Sequence, residues 1–169
     1  SRRCARARPR TYREPTRLFT EHTLSVGDVV VALTLAARRG QCELIGCQAE
    51  PRCWREFSGV SGRSAIKPDL FVALGVGEYE ERWFIEVDRG TEHVPTLLRK
   101  CRLYSAYYAT GIEQARHGVF PRVCFIVPDD ERSKRLAEAV AADRRLTAEL
   151  FTVTTTEHAV PTLIAGGES

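Results

Sequence analysis

Lys67-Pro68-Asp69-Leu70-Phe71-Val72-Ala73-Leu74, followed after Gly75-Val76-Gly77-Glu78 by Arg82-Trp83-Phe84-Ile85-Glu86-Val87-Asp88, is the stretch that decides the fold. The two apolar runs predict a hairpin with strands over 67–76 and 82–88. Pro68-Asp69 opens the first strand and Glu86-Val87-Asp88 closes the second, so three carboxylates gather at one end. Side chains alternate along a strand, which puts Glu86 and Asp88 on one face and Trp83, Ile85 and Val87 on the other. Carboxylates crowded at the end of a buried hairpin repel one another and lose water. A divalent cation with oxygen ligands is the usual counter-charge.

Working outward, Ser25-Val26-Gly27-Asp28 reads as a helix start capped by Ser25. Val26, Val29, Val30, Leu33, Ala36 and Ala37 then keep helical spacing up to Arg38-Arg39-Gly40. Residues 42–49 predict a strand, and Ser58-Gly59-Val60-Ser61-Gly62 a polar, glycine-rich loop. Thr91 to Ala109 predicts a helix with an apolar stripe of Val94, Leu97, Leu98, Cys101, Tyr104, Ser105 and Tyr108. Val123-Cys124-Phe125-Ile126-Val127, bounded by Pro121 and Pro128, predicts a buried central strand. An amphipathic helix over Asp129 to Arg145 and a strand over 150–154 complete the chain. The order α-β-β-β-α-β-α-β predicts a three-layer α/β fold, with a mixed central sheet of about five strands flanked by helices.

A chain of 169 residues, 43% hydrophobic and 28% charged, suits one soluble domain. No apolar run in the sequence approaches a membrane span and no secretory signal is visible, so a cytoplasmic protein without a membrane partner is expected. With no methionine, the chain is expected to be a piece of a longer protein. Seven arginines, Arg2, Arg3, Arg6, Arg8, Arg10, Arg13 and Arg17, against Glu14 give residues 1–17 a charge of +6; the rest carries −3 of the overall +3. Residues 1–17 are therefore expected to be a basic flexible arm or linker, and 18–169 the single domain. Such an arm suits the phosphate backbone of DNA. Of six cysteines, Cys42, Cys47 and Cys53 lack the two-residue gap of zinc knuckles, so reduced thiols are expected. No glycine-rich loop precedes a helix, which speaks against a nucleotide-binding protein.

The element order with its acids resembles the restriction-endonuclease-like fold of the PD-(D/E)xK superfamily. Pro68-Asp69 matches that superfamily's Pro-Asp, and Glu86-Val87-Asp88 its (Asp/Glu)-x-Lys, with Asp88 where lysine is usual. His22-Thr23-Leu24, Glu50, Ile66-Lys67-Pro68-Asp69, Glu86-Val87-Asp88-Arg89-Gly90-Thr91-Glu92, Lys100 and Tyr104 resemble more closely the replication-relaxation family of actinobacterial plasmids and integrative elements. The resemblance implies a DNA-acting phosphodiesterase that nicks or cleaves, linked to plasmid replication, relaxation or transfer, with an upstream winged helix in the full-length protein. Its other implication is a catalytically inactive, nuclease-shaped DNA-binding or scaffold domain.

The implied centre uses Mg2+ or Mn2+ held by Asp69 and Glu86, with Asp88 and Glu50 as auxiliary ligands. Lys100 would position water or stabilise charge in place of the missing strand lysine. A metal neutralises charge on the phosphodiester and acidifies its bound water. The arginines of the arm, with Arg89 and Tyr104, are the expected nucleic-acid contacts, and Trp54 and Arg55 lie in a loop that could touch DNA. A plain ion pair of Glu86 with Lys100 or Arg89 satisfies the buried carboxylate without a metal. His22 suits either proton transfer or ordering of the first helix.

Overall fold

The computed structural model describes residues 16–59 and 62–166. The elements are α1 (Arg17–Arg38), β1 (Glu43–Ala49), β2 (Arg55–Gly59), β3 (Gly62–Ile66), β4 (Leu70–Val76), β5 (Tyr79–Val87), α2 (Val94–Tyr108) and α3 (Ile112–His117). They continue with β6 (Arg122–Val127), α4 (Asp130–Ala142), a 3-10 turn at Ala148–Leu150, β7 (Phe151–Thr155) and α5 (Ala159–Ile164). Five strands form one mixed sheet in the order β1-β4-β5-β6-β7. The first two pairings are antiparallel, and β5-β6 and β6-β7 are parallel.

Both faces of this sheet are covered, which is why β4 and β6 are apolar at nearly every position instead of alternating. One face carries Leu70, Val72, Leu74, Trp83, Ile85, Val87, Cys124 and Ile126 against Val29 and Leu33 of α1 and Ala159 and Leu163 of α5. The other carries Phe71, Ala73, Phe84, Val123, Phe125 and Val127 against α2 and α4, with Phe57 and Ile66 of the β2-β3 hairpin closing that core. Glu86 therefore lies on the α2 side while Val87 lies on the α1 side, as the alternation requires.

Several sequence expectations change, and α3 and α5 are additions to the expected order α-β-β-β-α-β-α-β. Of the loop expected around Ser58–Gly62, Ser58 and Gly59 belong to β2 and Gly62 to β3, which pair as a separate two-stranded sheet. The first helix begins at Arg17, capped by the Thr16 hydroxyl; Ser25 lies inside it and turns its hydroxyl to the Glu21 carbonyl. The arm's last residue is thus helical, and Arg2, Arg3, Arg6, Arg8, Arg10 and Arg13 lie outside the described residues. Finally, α1 is by length and composition apolar enough to cross a membrane, against the expectation that no segment approaches this. Its Val29, Leu33 and Ala36 nevertheless pack on the protein's own core.

Candidate functional site

The antiparallel register pairs Leu70 with Ile85, and Asp69 precedes β4 by one residue beside the end of β5 that carries Glu86. Here the Asp69 amide donates to the Ile85 carbonyl at 3.0 Å. The carboxylate then folds back, with Oδ2 accepting from the Val87 amide at 2.7 Å and Oδ1 meeting His22 Nε2 of α1 at 3.0 Å. Beneath it, the buried Cys53 thiol donates to the Pro68 carbonyl at 3.0 Å, fixing the chain just before the strand. Burial pushes that thiol up to about 11 and the thiols of Cys101 and Cys124 up to about 12, so all three are inert packing groups.

Glu86 is 3% exposed. Its Oε1 accepts a 2.6 Å hydrogen bond from the Tyr104 hydroxyl, and its Oε2 meets Lys100 Nζ at 3.0 Å. Lys100 and Tyr104 are one turn apart on α2 and so reach the same carboxylate. The lysine is shared: Glu92 Oε1 lies 2.9 Å from the same ammonium, while Glu92 Oε2 is buried with no hydrogen-bond partner among the described residues. Burial, with the Asp69 charge adding to it, pushes Glu86 up to about 7 against the opposing pull of Lys100 and Tyr104. Burial also works against the Lys100 ammonium, but Glu86 and Glu92 outweigh it and hold its pKa above the ordinary lysine value. Desolvation and the neighbouring carboxylate raise the Tyr104 phenol well above its usual range.

Asp88 follows a different course. Its Oδ1 accepts from the Gly90 amide at 2.9 Å, and its Oδ2 is held by Arg132 of α4 at 2.7 Å. Gly90 turns there with φ +79°, a conformation in which a side chain is strained. Arg132 also donates to the Glu92 carbonyl, tying α4 to the segment before α2. Arg89 points back to Glu21 of α1 at 2.9 Å. The run Glu86-Val87-Asp88-Arg89-Gly90-Thr91-Glu92 is thus a junction: it binds β5 to α1, α2 and α4 within seven residues.

Several sequence-selected residues stand elsewhere than expected. Tyr104 is 1% exposed, so its ring offers no platform for base stacking. Arg55 lies in β2 with its guanidinium over Phe71 and Phe84 and its Nε 3.2 Å from Glu113 Oε1, so it is a core-facing group and not a loop contact. Arg89 neutralises Glu21 instead of the central acids. Glu50 follows β1 at an exposed turn, its amide bonded to the Asp69 carbonyl. His22 does more than order α1, since it meets Asp69 directly. Glu92 closes the run that carries the family resemblance but was given no role there; Arg132 was not singled out in the sequence, where its signal is only charge in a helix.

The donor set fits a cation in part. Asp69 and Glu86 share a buried end of the sheet, but the Asp69 carboxylate is turned to His22 of α1 and the Val87 amide and the Glu86 carboxylate to α2, where the Lys100 ammonium already occupies a cation's position between Glu86 and Glu92. Asp88 is committed to Arg132 and Glu50 is exposed. Among the described residues, no group of three or more carboxylate, histidine or cysteine side chains is gathered as a metal cluster. A pocket of about 210 Å3 opens beside the pair, lined by Ala65, Ile66, Lys67, Leu103 and Tyr104 with Glu86 and Lys100 themselves.

No curated protein and no solved structure matches the chain. The replication-relaxation family matches residues 1–123, a span that includes α1, the β4-β5 acids, the junction run and the Lys100–Tyr104 helix. The chain belongs to the replication-relaxation family.

Proposed function

We propose that this domain serves replication or relaxation by acting on DNA as a divalent-metal-dependent phosphodiesterase with a PD-(D/E)xK-type centre. The observation that carries the proposal is spatial: the amide of buried Asp69 is bonded to the Ile85 carbonyl, one residue from buried Glu86, the Asp69 charge acts on Glu86, and Lys100 reaches Glu86 from α2. In this reading the helix residue Lys100 would serve in place of the strand lysine, which leaves Asp88 to the junction through Arg132. Bound there, Mg2+ or Mn2+ supplies Lewis acidity toward the phosphate and a more acidic water. Asp69 and Glu86 would be its ligands, with Glu92 the carboxylate that has an unused oxygen nearby. His22 and the Val87 amide hold Asp69 in orientation, and Tyr104 does the same for Glu86. Lys100, a third exposed beside the pocket, would supply positive charge to a substrate phosphate if a cation took its place at Glu86. The arginines of residues 1–17 hold the DNA backbone without reading sequence.

A second reading is favoured by one observation: all six carboxylate oxygens of Asp69, Glu86 and Asp88 already have a partner. A centre closed in this way suits a DNA-binding scaffold that does no chemistry. Supercoiled plasmid DNA with Mg2+ or Mn2+ separates the two. A phosphodiesterase converts it to open circles only with cation, and Asp69→Ala and Glu86→Ala abolish this while the circular dichroism spectrum is kept. A scaffold shifts the DNA in a gel and leaves it uncut. Cleavage at the wild-type level by either variant would exclude the proposed centre.

A further inference from the structure

Helix α1 buries one edge only. Val29, Leu33 and Ala36 pack inward, whereas Leu24, Val31 and Leu35 are 64%, 58% and 42% exposed. On that outward face Asp28, Val31, Leu35 and Arg38 follow one another at spacings of three, four and three, the spacing of a helix–helix seam. The seam reads acid, apolar, apolar, base, so its reverse is its own complement. Asp28 and Arg38 are exposed and form no ion pair among the described residues. Beside Leu35 the apolar surface deepens into a groove of about 450 Å3 between α1 and α5, lined by Ala32, Ala36, Val160 and Ile164.

We propose that this face binds the same face of a second copy, α1 against α1 in antiparallel orientation about a two-fold axis level with Leu33. In that arrangement Val31 of each copy covers Leu35 and the groove of the other, and Asp28 of each meets Arg38 of the other. The contact is isologous: one patch supplies both halves, and the same pairing occurs twice. Antiparallel helices also bring unlike ends of their dipoles together. Gly27, with nothing within 4 Å of the position of an added Cβ, leaves room beside Asp28 for the stem of the incoming arginine. Residues 1–15, with six arginines, are too polar to cover an apolar seam, and a bilayer offers no partner for Asp28 in its centre.

Sedimentation equilibrium of the full chain tests the pairing. The wild type is expected at twice its 19.0 kDa mass and Val31→Asp at the single mass. Asp28→Lys and Arg38→Glu each weaken the dimer by about tenfold or more, and the double variant regains it, because reversing both charges restores the complement. That rescue decides the matter even where Val31→Asp fails to fold. A wild type that stays monomeric at about 100 µM, whether or not it binds anionic vesicles, overturns the proposal. So does a dimer indifferent to both single charge reversals.

Discussion

Glu86 and Glu113 are both almost fully buried, and both accept a 2.6 Å hydrogen bond from a tyrosine of the same helix, Tyr104 for one and Tyr107 for the other. Each also has a cation at hydrogen-bonding distance, Lys100 at 3.0 Å and Arg55 at 3.2 Å. Their surroundings differ. Around Glu113 the charges balance: Arg55 is sandwiched against Phe71 and Phe84, and His117 lies 3.8 Å away. Around Glu86 they do not, because the Asp69 charge acts on it and Glu92 competes for the same lysine. Glu86 also borders an open pocket and its lysine is a third exposed. A buried acid with a balanced partner holds a fold together; one with surplus negative charge beside an opening is suited to bind something positive.

The largest expected effect is at the balanced member. Glu113→Ala leaves the Arg55 charge and the Tyr107 hydroxyl without their partner, and should cost about 3–5 kcal/mol in urea unfolding. Cation binding by the folded fraction should not change. At the unbalanced member, the folded state raises Glu86 from 4.5 to about 7, so it holds a proton that the unfolded chain releases. In chelator-containing buffer this stabilises fully below 4.5 and is lost as pH rises through about 7. Glu86→Gln should remove that component of the pH dependence between the same limits, which thermal melts across the range will show. Lys100→Met takes away the ammonium that competes for Glu86. It should tighten Mn2+ binding severalfold while abolishing cleavage of supercoiled DNA, a combination that simple loss of structure does not produce. The smallest effects come from Tyr104→Phe and Tyr107→Phe, each about 1 kcal/mol. Only Tyr104→Phe should move the Glu86 titration, upward, since its hydroxyl favours the charged carboxylate.

The β4-β5 hairpin and its acids were legible because burial on both faces writes continuous apolar runs, against which a carboxylate stands out. The β2-β3 hairpin was not, since its strands are only five residues each and Arg55, Ser58, Gly59 and Arg63 blur any alternation. The start of α1 was misplaced because Ser25 and Asp28 imitate a cap in mid-helix, while the true cap, Thr16, precedes a turn with no acidic residue. Within the site, Asp69 and Glu86 came from residue type and spacing, whereas the roles of Lys100 and Tyr104 came with the family resemblance. Arg132 lies 44 residues from Asp88 on a helix rich in charge. Nothing local distinguishes it from Arg135, which pairs with Glu131 at the surface. Glu113 was equally silent, because its burial follows from how α3 meets the hairpin.

Calorimetric titration of Mn2+ into the wild type, Glu86→Gln and Glu113→Gln at pH 8, where Glu86 is ionised, is the most direct trial of the Asp69–Glu86–Lys100 centre. One saturable site in the wild type and in Glu113→Gln, lost in Glu86→Gln, is the expected result. No saturable binding in any of the three, or equal binding in all of them, would contradict it and leave Lys100 as the permanent occupant of the site.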